Sequence, residues 1–254
     1  METGAITGYI DVAQIALYVF WLFFAGLVFY LRREDKREGY PLVTERAGVR
    51  LDGFPRPPAP KTYLLPHGGT VTAPRVDPPQ PSFDAVPLAG WPGAPLQPIG
   101  NAMLAGTGPA AYALRAEVPD LTETGETRIV PLRLIPDHYL DEESPDPRGM
   151  TAVGADGVAG GVVTDVWIDR VELVVRYFEV ALSAGPSVLL SAPMARIDTA
   201  ANAVRVQSIL GAQFADVPLL ANPDQVTLRE EDQVQAYYGG GQLYATASRL
   251  EPLL

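Results

Sequence analysis

VAQIALYVFWLFFAGLVFYL, residues Val12 to Leu31, runs for 20 positions without a charged side chain. At about 1.5 Å of rise per residue an α-helix of that length extends roughly 30 Å, the thickness of a bilayer's hydrocarbon layer. The stretch therefore reads as a transmembrane helix. A secretory signal peptide would carry positive charge before the apolar run and small residues at a cleavage site after it. Here Glu2 and Asp11 precede the run, and Arg32, Arg33 and Glu34 follow it. A buried core helix is the other competitor, and the run exceeds the roughly 10 to 14 residues expected of one.

The flanks set an expected orientation. The first 31 residues hold no Lys or Arg, whereas Arg32, Arg33, Lys36 and Arg37 crowd the far end. The excess of basic residues marks the cytoplasmic side, so residues 1–11 are expected in the periplasm and the bulk of the chain in the cytoplasm. Tyr9 and Tyr30 fall at interface depth, where amphipathic rings are favoured, and Trp21 lies mid-span. The alternating charges of RREDKREG suit a helix leaving the membrane with its basic side chains near anionic headgroups. Tyr30, Arg32, Arg33, Lys36 and Arg37 are thus the expected membrane-interface residues.

Over the whole chain the composition is ordinary for a mostly soluble protein, with 47% hydrophobic residues over 254 positions. A formal charge of -11 and a pI near 4.6 argue against nucleic-acid binding, which needs clustered Lys and Arg. With no cysteine there is no disulfide frame, thiolate metal site or cysteine nucleophile. From Pro41 to Pro147 the chain carries 20 of its 25 prolines, too many for long helices or central strands. Yet Tyr63, Leu64, Leu65, Trp91, Leu96, Ile99, Tyr112 and Leu114 recur through it, and such residues need burial. Residues 32–149 therefore read as a juxtamembrane helix followed by an irregular layer laid across another surface. Lys61 to Leu65 and Thr70 to Ala73 form a hairpin around Pro66-His67-Gly68-Gly69, and Thr127 to Leu134 is an edge or bulged strand broken by Pro131.

From residue 150 to the end the texture is that of a small β-barrel. Val162 to Asp169 and Leu173 to Leu182 are rich in β-branched and aromatic residues and are expected to pair as a hairpin. Ser187 to Ser191, Ala195 to Asp198 and Ala203 to Gln207 supply further strands. Thr227 and Glu230 form a T-x-x-E capping box for a helix running to about Tyr238, with Gly239 as its stop. The expected fold is one N-terminal transmembrane helix plus a mainly-β cytoplasmic region, ending in the barrel and a short C-terminal helix.

The search for catalytic motifs is negative: no G-x-S-x-G elbow, phosphate loop, H-E-x-x-H or dinucleotide fingerprint is present. His67 and His138 lie 71 positions apart and read as solvated or hydrogen-bonded surface histidines. Gly239-Gly240-Gly241 follows a helix rather than preceding one, so it is not a phosphate cradle. Asp165, Asp169, Glu172 and Arg176, on and between the two best strands, are the most suggestive titratable cluster. Burial would raise the carboxylate pKa values and let them carry protons near neutral pH, with Arg176 opposing the shift. An ordinary solvated turn with a salt bridge is the competing reading.

Several segments, in order, resemble the H-subunit family of purple bacterial photosynthetic reaction centres. They are FAGLVFYLRREDKREGYPL (Phe24 to Leu42), KTYLLPHGGTVTAP (Lys61 to Pro74), GAPLQPIGNAM (Gly93 to Met103), GPAAYALRAEVPD (Gly108 to Asp120) and REEDQVQAYYGGGQLYA (Arg229 to Ala245). DGVAGGVVTDVWID, Asp156 to Asp169, resembles the PRC-barrel fold. The resemblance implies a non-catalytic subunit of the intracytoplasmic photosynthetic membrane, the bacterial inner membrane. Such a subunit caps the cytoplasmic face of the pigment-binding L and M subunits, shields the quinones and helps conduct protons to the secondary quinone. It also implies that bacteriochlorophyll, bacteriopheophytin, quinones and non-haem iron are held by those partners, with core antenna polypeptides, a cytochrome subunit and membrane lipid as further neighbours. Asp169, Glu172 and Arg176 match positions near the proton pathway, and Asp120 matches an acidic position near its outer end. The chain departs from the family at Leu121 to Arg128, LTETGETR, where some members carry histidines; Glu123 and Glu126 are the candidate substitutes. A membrane-anchored PRC-barrel module docking a non-photosynthetic partner is the alternative. An anchored hydrolase using Asp169 and Glu172 is weaker, because a turn specifies no acid-base geometry.

Overall fold

The computed structural model describes all residues except 1–3, 5, 8–9, 41, 44–48, 76–82, 92 and 251–254. The expected interface position of Tyr9 lies outside the described residues. The chain forms two compact units, Met1–Pro78 and Pro79–Leu254. The stretch read as one layer over residues 32–149 is divided between them.

The first unit begins with α1 (Val12–Glu34). Asp11 caps it by accepting the Gln14 N–H at 2.7 Å, placing a carboxylate where the helix dipole is positive. No residue of α1 is buried within the chain, and Phe20, Trp21 and Phe24 form an exposed aromatic cluster with ring centroids 5.5 to 5.9 Å apart. A helix whose apolar run faces every direction, with no residue of it buried by the rest of the chain, is suited to lipid.

The charged flank departs from expectation. Lys36 does not reach toward headgroups: it lies in a 3₁₀ turn, Asp35–Arg37, and is 2% exposed. Its ammonium donates to the carbonyls of Asp52 (2.8 Å) and Pro55 (2.6 Å) and stands 4.8 Å from the Tyr40 ring centroid. Arg37 is likewise engaged, with Glu34 (2.7 and 2.9 Å) and with the carbonyls of Ala59 and Ala73. The reason is that the polar backbone of an irregular Pro-rich segment needs donors. Arg32, Arg33 and Tyr30 remain exposed. Beyond the turn, β1 (Leu42–Val43) pairs with β2 (Arg50–Leu51), and β3 (Lys61–Leu64) with β4 (Thr70–Ala73), both antiparallel. The second hairpin turns through Gly68 and Gly69 at φ 92° and 84°, a region open to glycine.

In the second unit β5 (Ala85–Pro87) and β6 (Leu96–Pro98) form a small antiparallel pair. The main sheet contains β7 (Ile129–Pro131), β8 (Thr151–Val153), β9 (Ala159–Asp169), β10 (Val174–Leu182), β11 (Ser187–Ser191), β12 (Ala195–Asp198) and β13 (Ala203–Val206). Its order is β11-β10-β9-β8-β13-β12, with β7 also paired to β9 and β13 running parallel to β8. The expected β9–β10 hairpin is present, antiparallel from Val174 opposite Asp169 to Leu182 opposite Gly161. Exposure alternates at the start of β9 and then ceases: Asp165 to Asp169 are all buried. β7 and the following 3₁₀ turn, Leu132–Leu134, pack against that end and remove its solvated face.

The second helix, α2 (Leu228–Tyr244), opens with the expected capping box. Thr227 Oγ1 accepts the Glu230 N–H at 3.2 Å, and Glu230 accepts the Thr227 N–H at 2.8 Å. A cap of this kind contributes about 1 kcal/mol. Gly239 does not stop the helix, which continues through all three glycines to Tyr244. Side chains there would collide with neighbours: a Cβ on Gly239 would lie 2.9 Å from the Pro109 carbonyl, and one on Gly240 2.9 Å from Ala110 Cβ. The glycines let the 3₁₀ turn Gly108–Ala110 approach the helix, and packing overrides their poor helix propensity. Across the sheet Tyr238 donates to the Leu189 carbonyl at 3.2 Å.

Candidate functional site

The pairing of β7 with β9 sets Ile129 opposite Asp169 and brings Arg128, one residue earlier, to the end of the β9–β10 hairpin. Arg128 gathers three acids, one from its own sequence neighbourhood and two from the hairpin. Its Nε donates to both oxygens of Asp169 (3.0 and 2.9 Å), its Nη1 to Asp120 (3.2 Å) and its Nη2 to Glu172 (2.7 Å). Glu126 is held separately, by Arg170 at 2.8 Å. Glu123 is exposed and is not drawn into the network. The Arg128 cluster carries more negative than positive charge, and its Glu172 and Asp120 side chains are 53% and 41% exposed.

Asp169 is fully buried, and its carboxyl differs from expectation. Desolvation does push its pKa upward, as burial must. The guanidinium of Arg128 and the N–H groups of Glu172 and Val171 together outweigh it and hold the group below the ordinary aspartate value. The opposing cation is Arg128, 41 positions away, and not Arg176. Arg176 forms no ion pair among the described residues and acts electrostatically on Glu231. Asp165 belongs to a second node, in which Arg133 donates to Asp165 (3.1 Å), Glu179 (2.6 Å) and Asp224 (2.9 Å).

Glu231 is a buried titratable group outside the clusters expected from sequence. It is 8% exposed at the start of α2, accepts the Tyr177 hydroxyl at 3.2 Å, and has its pKa raised by burial. Its spacing offered a signal: with Val234 and Tyr238 it occupies i, i+3 and i+7 on the buried helix face. A raised folded-state pKa makes Glu231 favourable to stability below the unfolded value near 4.3 and progressively less so as pH rises through the folded value. Glu231→Gln, which keeps an acceptor for Tyr177, is therefore expected to match the parent near pH 4 and to melt higher than it near pH 8. Parallel pH-melting curves would contradict this.

His138 also differs from expectation. Its Nδ1 is buried with no hydrogen-bond partner, beside a cleft of about 680 Å³ lined partly by Val166, Ile168, Leu173 and Phe178. Among the described residues no group of three His, Cys, Asp or Glu side chains is placed to hold a metal ion.

Among the described residues one helix is long and apolar enough to cross a membrane, and with the mainly-β region it fits the class of membrane-anchored proteins. Residues 4–134 match the family described as photosynthetic reaction centre, H-chain N-terminal region, and residues 141–213 match the PRC-barrel domain. The first match spans more than half of the 254 residues, and the chain belongs to the photosynthetic reaction-centre H-chain family. The fold class expected from sequence therefore stands. The chain is a reaction-centre H subunit, of a non-catalytic family whose members associate with other reaction-centre subunits.

Proposed function

We propose that this subunit caps the cytoplasmic face of the L and M subunits, stabilises the quinone sites and assists proton delivery to the secondary quinone. Its N-terminus then faces the periplasm of the intracytoplasmic membrane. In the same reading bacteriochlorophyll, bacteriopheophytin, quinones and non-haem iron are bound by the partners. Core antenna polypeptides and a cytochrome subunit are further neighbours in the same reading.

The observation that carries the proton role is the Arg128 cluster. It joins exposed carboxylates, Glu172 and Asp120, to the buried carboxylate of Asp169 through one guanidinium. Its net negative charge raises the local proton concentration. Glu172, half in water, takes up a proton from solvent and passes it toward the reduced secondary quinone held by the partners, which is the acceptor, while Asp169, kept ionised by Arg128, supplies fixed negative charge beside the path. Glu123 and Glu126 supply the outer uptake surface, and Arg176 tunes Glu231. The capping role is supported by apolar side chains that the chain alone leaves uncovered, among them Leu64 (85% exposed), Trp91 (61%) and Leu173 (70%).

The test is flash-induced proton uptake by the purified complex, whose near-infrared absorption and bleaching first establish the pigments. Glu172→Gln is expected to slow uptake roughly ten- to hundredfold without altering the primary bleaching, as loss of a positioned proton carrier does. Unchanged uptake in Glu172→Gln and in the pair Glu123→Gln with Glu126→Gln would remove the proton role. A colourless complex would remove the photosynthetic assembly.

A further inference from the structure

Phe54 is 86% exposed, and single exposed apolar residues are ordinary on protein surfaces. Its position is what sets it apart. Its ring centroid lies 5.9 Å from that of Phe29, inside the apolar run of α1. Phe29 precedes Arg32, the first charge after the run, by three residues, which places it about 4.5 Å toward the hydrocarbon side at 1.5 Å per residue. A ring within 5.9 Å of that level lies near the boundary between hydrocarbon and headgroups.

The loop is also built to hold that position. The carbonyls on either side of Gly53-Phe54, those of Asp52 and Pro55, are both bound by the buried ammonium of Lys36, one turn beyond the end of α1. Gly53 has φ 63°, and a Cβ there would come within 3.1 Å of Lys36 Nζ, so the tip needs glycine to close over the cation. The ammonium's remaining direction is toward Tyr40. The clamp ties the loop to the helix end, and Arg56, just beyond it, is exposed together with Arg32 and Arg33, which suits anionic headgroups.

We propose that the Gly53-Phe54-Pro55 loop is a second, monotopic membrane contact, with the Phe54 ring inserted among lipid chains beside α1 and Lys36 acting as the positioning residue that holds it there. This rests on α1 crossing a bilayer and is independent of the pigment assembly.

The chain contains no cysteine, so single nitroxide labels can be placed without background. Full-length Phe29→Cys, Phe54→Cys and Glu142→Cys chains, labelled and reconstituted in phosphatidylcholine–phosphatidylglycerol vesicles, are compared for collision with oxygen and with a water-soluble nickel chelate. The oxygen-to-nickel ratio at 54 is expected to lie within about twofold of that at 29 and several-fold above that at 142, the pattern of an apolar group at interface depth. A water-like ratio at 54 with a lipid-like ratio at 29 overturns the loop contact alone; a water-like ratio at 29 overturns the span and the contact together. In the assembled complex, a label at 54 immobilised and shielded from both reagents would assign the ring to a protein partner and likewise overturn the proposal. With the label at 54, Lys36→Met is expected to move the ratio toward that at 142, and no movement would remove Lys36 from its positioning role.

Discussion

Arg128→Ala is expected to destabilise the barrel-containing unit by about 2–3 kcal/mol, read from denaturant unfolding of the full-length chain in detergent. Removing one partner of a fully buried ion pair costs roughly 3–5 kcal/mol, and the partial exposure of Arg128 reduces this through solvent screening. Asp169, with no exposed surface, would keep only the N–H groups of Val171 and Glu172 as partners. Adding Asp169→Asn is expected to restore a large part of the loss, because the stranded charge is gone. A loss below about 0.5 kcal/mol for the single variant, the range of an ordinary surface substitution, would show that the pair does not hold the hairpin end. The pH dependence has a definite sign. A depressed folded-state pKa contributes stability that is present above the unfolded aspartate value near 3.9 and is lost as pH falls through the folded value. In the variant desolvation acts without the cation, so the Asp169 pKa rises; the gap between parent and variant is expected to close on acidification below the carboxylate range.

Gly241→Ala is expected to cost about 2 kcal/mol, although alanine is the better helix former by about 1 kcal/mol. A Cβ there would lie 2.7 Å from Ile209 Cγ2 and closer still to the Ser208 carbonyl oxygen. That carbonyl cannot easily withdraw, since Arg249 donates to it at 2.7 Å and to the Gly241 carbonyl at 2.6 Å, binding the two segments together. Strain is therefore expected to appear as an undocked C-terminal half of α2, seen as faster amide exchange from Tyr238 to Tyr244 and a lower melting temperature. A more stable Gly241→Ala chain would mean that propensity outweighs the close approach.

The elements legible in the sequence are those whose cause is local. Val12 to Leu31 declares a span by length and lack of charge, the β9–β10 hairpin declares itself by β-branched and aromatic residues around a short turn, and Thr227 with Glu230 marks the start of α2. Asp169 and Glu172 are legible as neighbours for a similar reason, because they flank that turn. Arg128 is not legible in this way, because nothing within its own segment ties it to a carboxylate 41 residues later; only the pairing of β7 with β9 does so.

The sign of the Asp169 shift shows the same limit. Neighbouring carboxylates and burial argue for a raised pKa, and the tertiary arrival of a guanidinium reverses it. Lys36 in a charged run reads as a headgroup contact until a distant Pro-rich loop offers two carbonyls, and three glycines read as a stop until two other segments are seen to press against them. The amino-acid sequence by itself determined the apolar helix, the β9–β10 hairpin, the cap and the family, since hydropathy, propensity and motif act over a few residues, whereas the short strands β1, β2, β5, β6 and β8 carry no such local mark. The tertiary structure alone decided which charge meets which, how deeply each is buried and where glycine is required, because those depend on contacts between segments far apart in the chain.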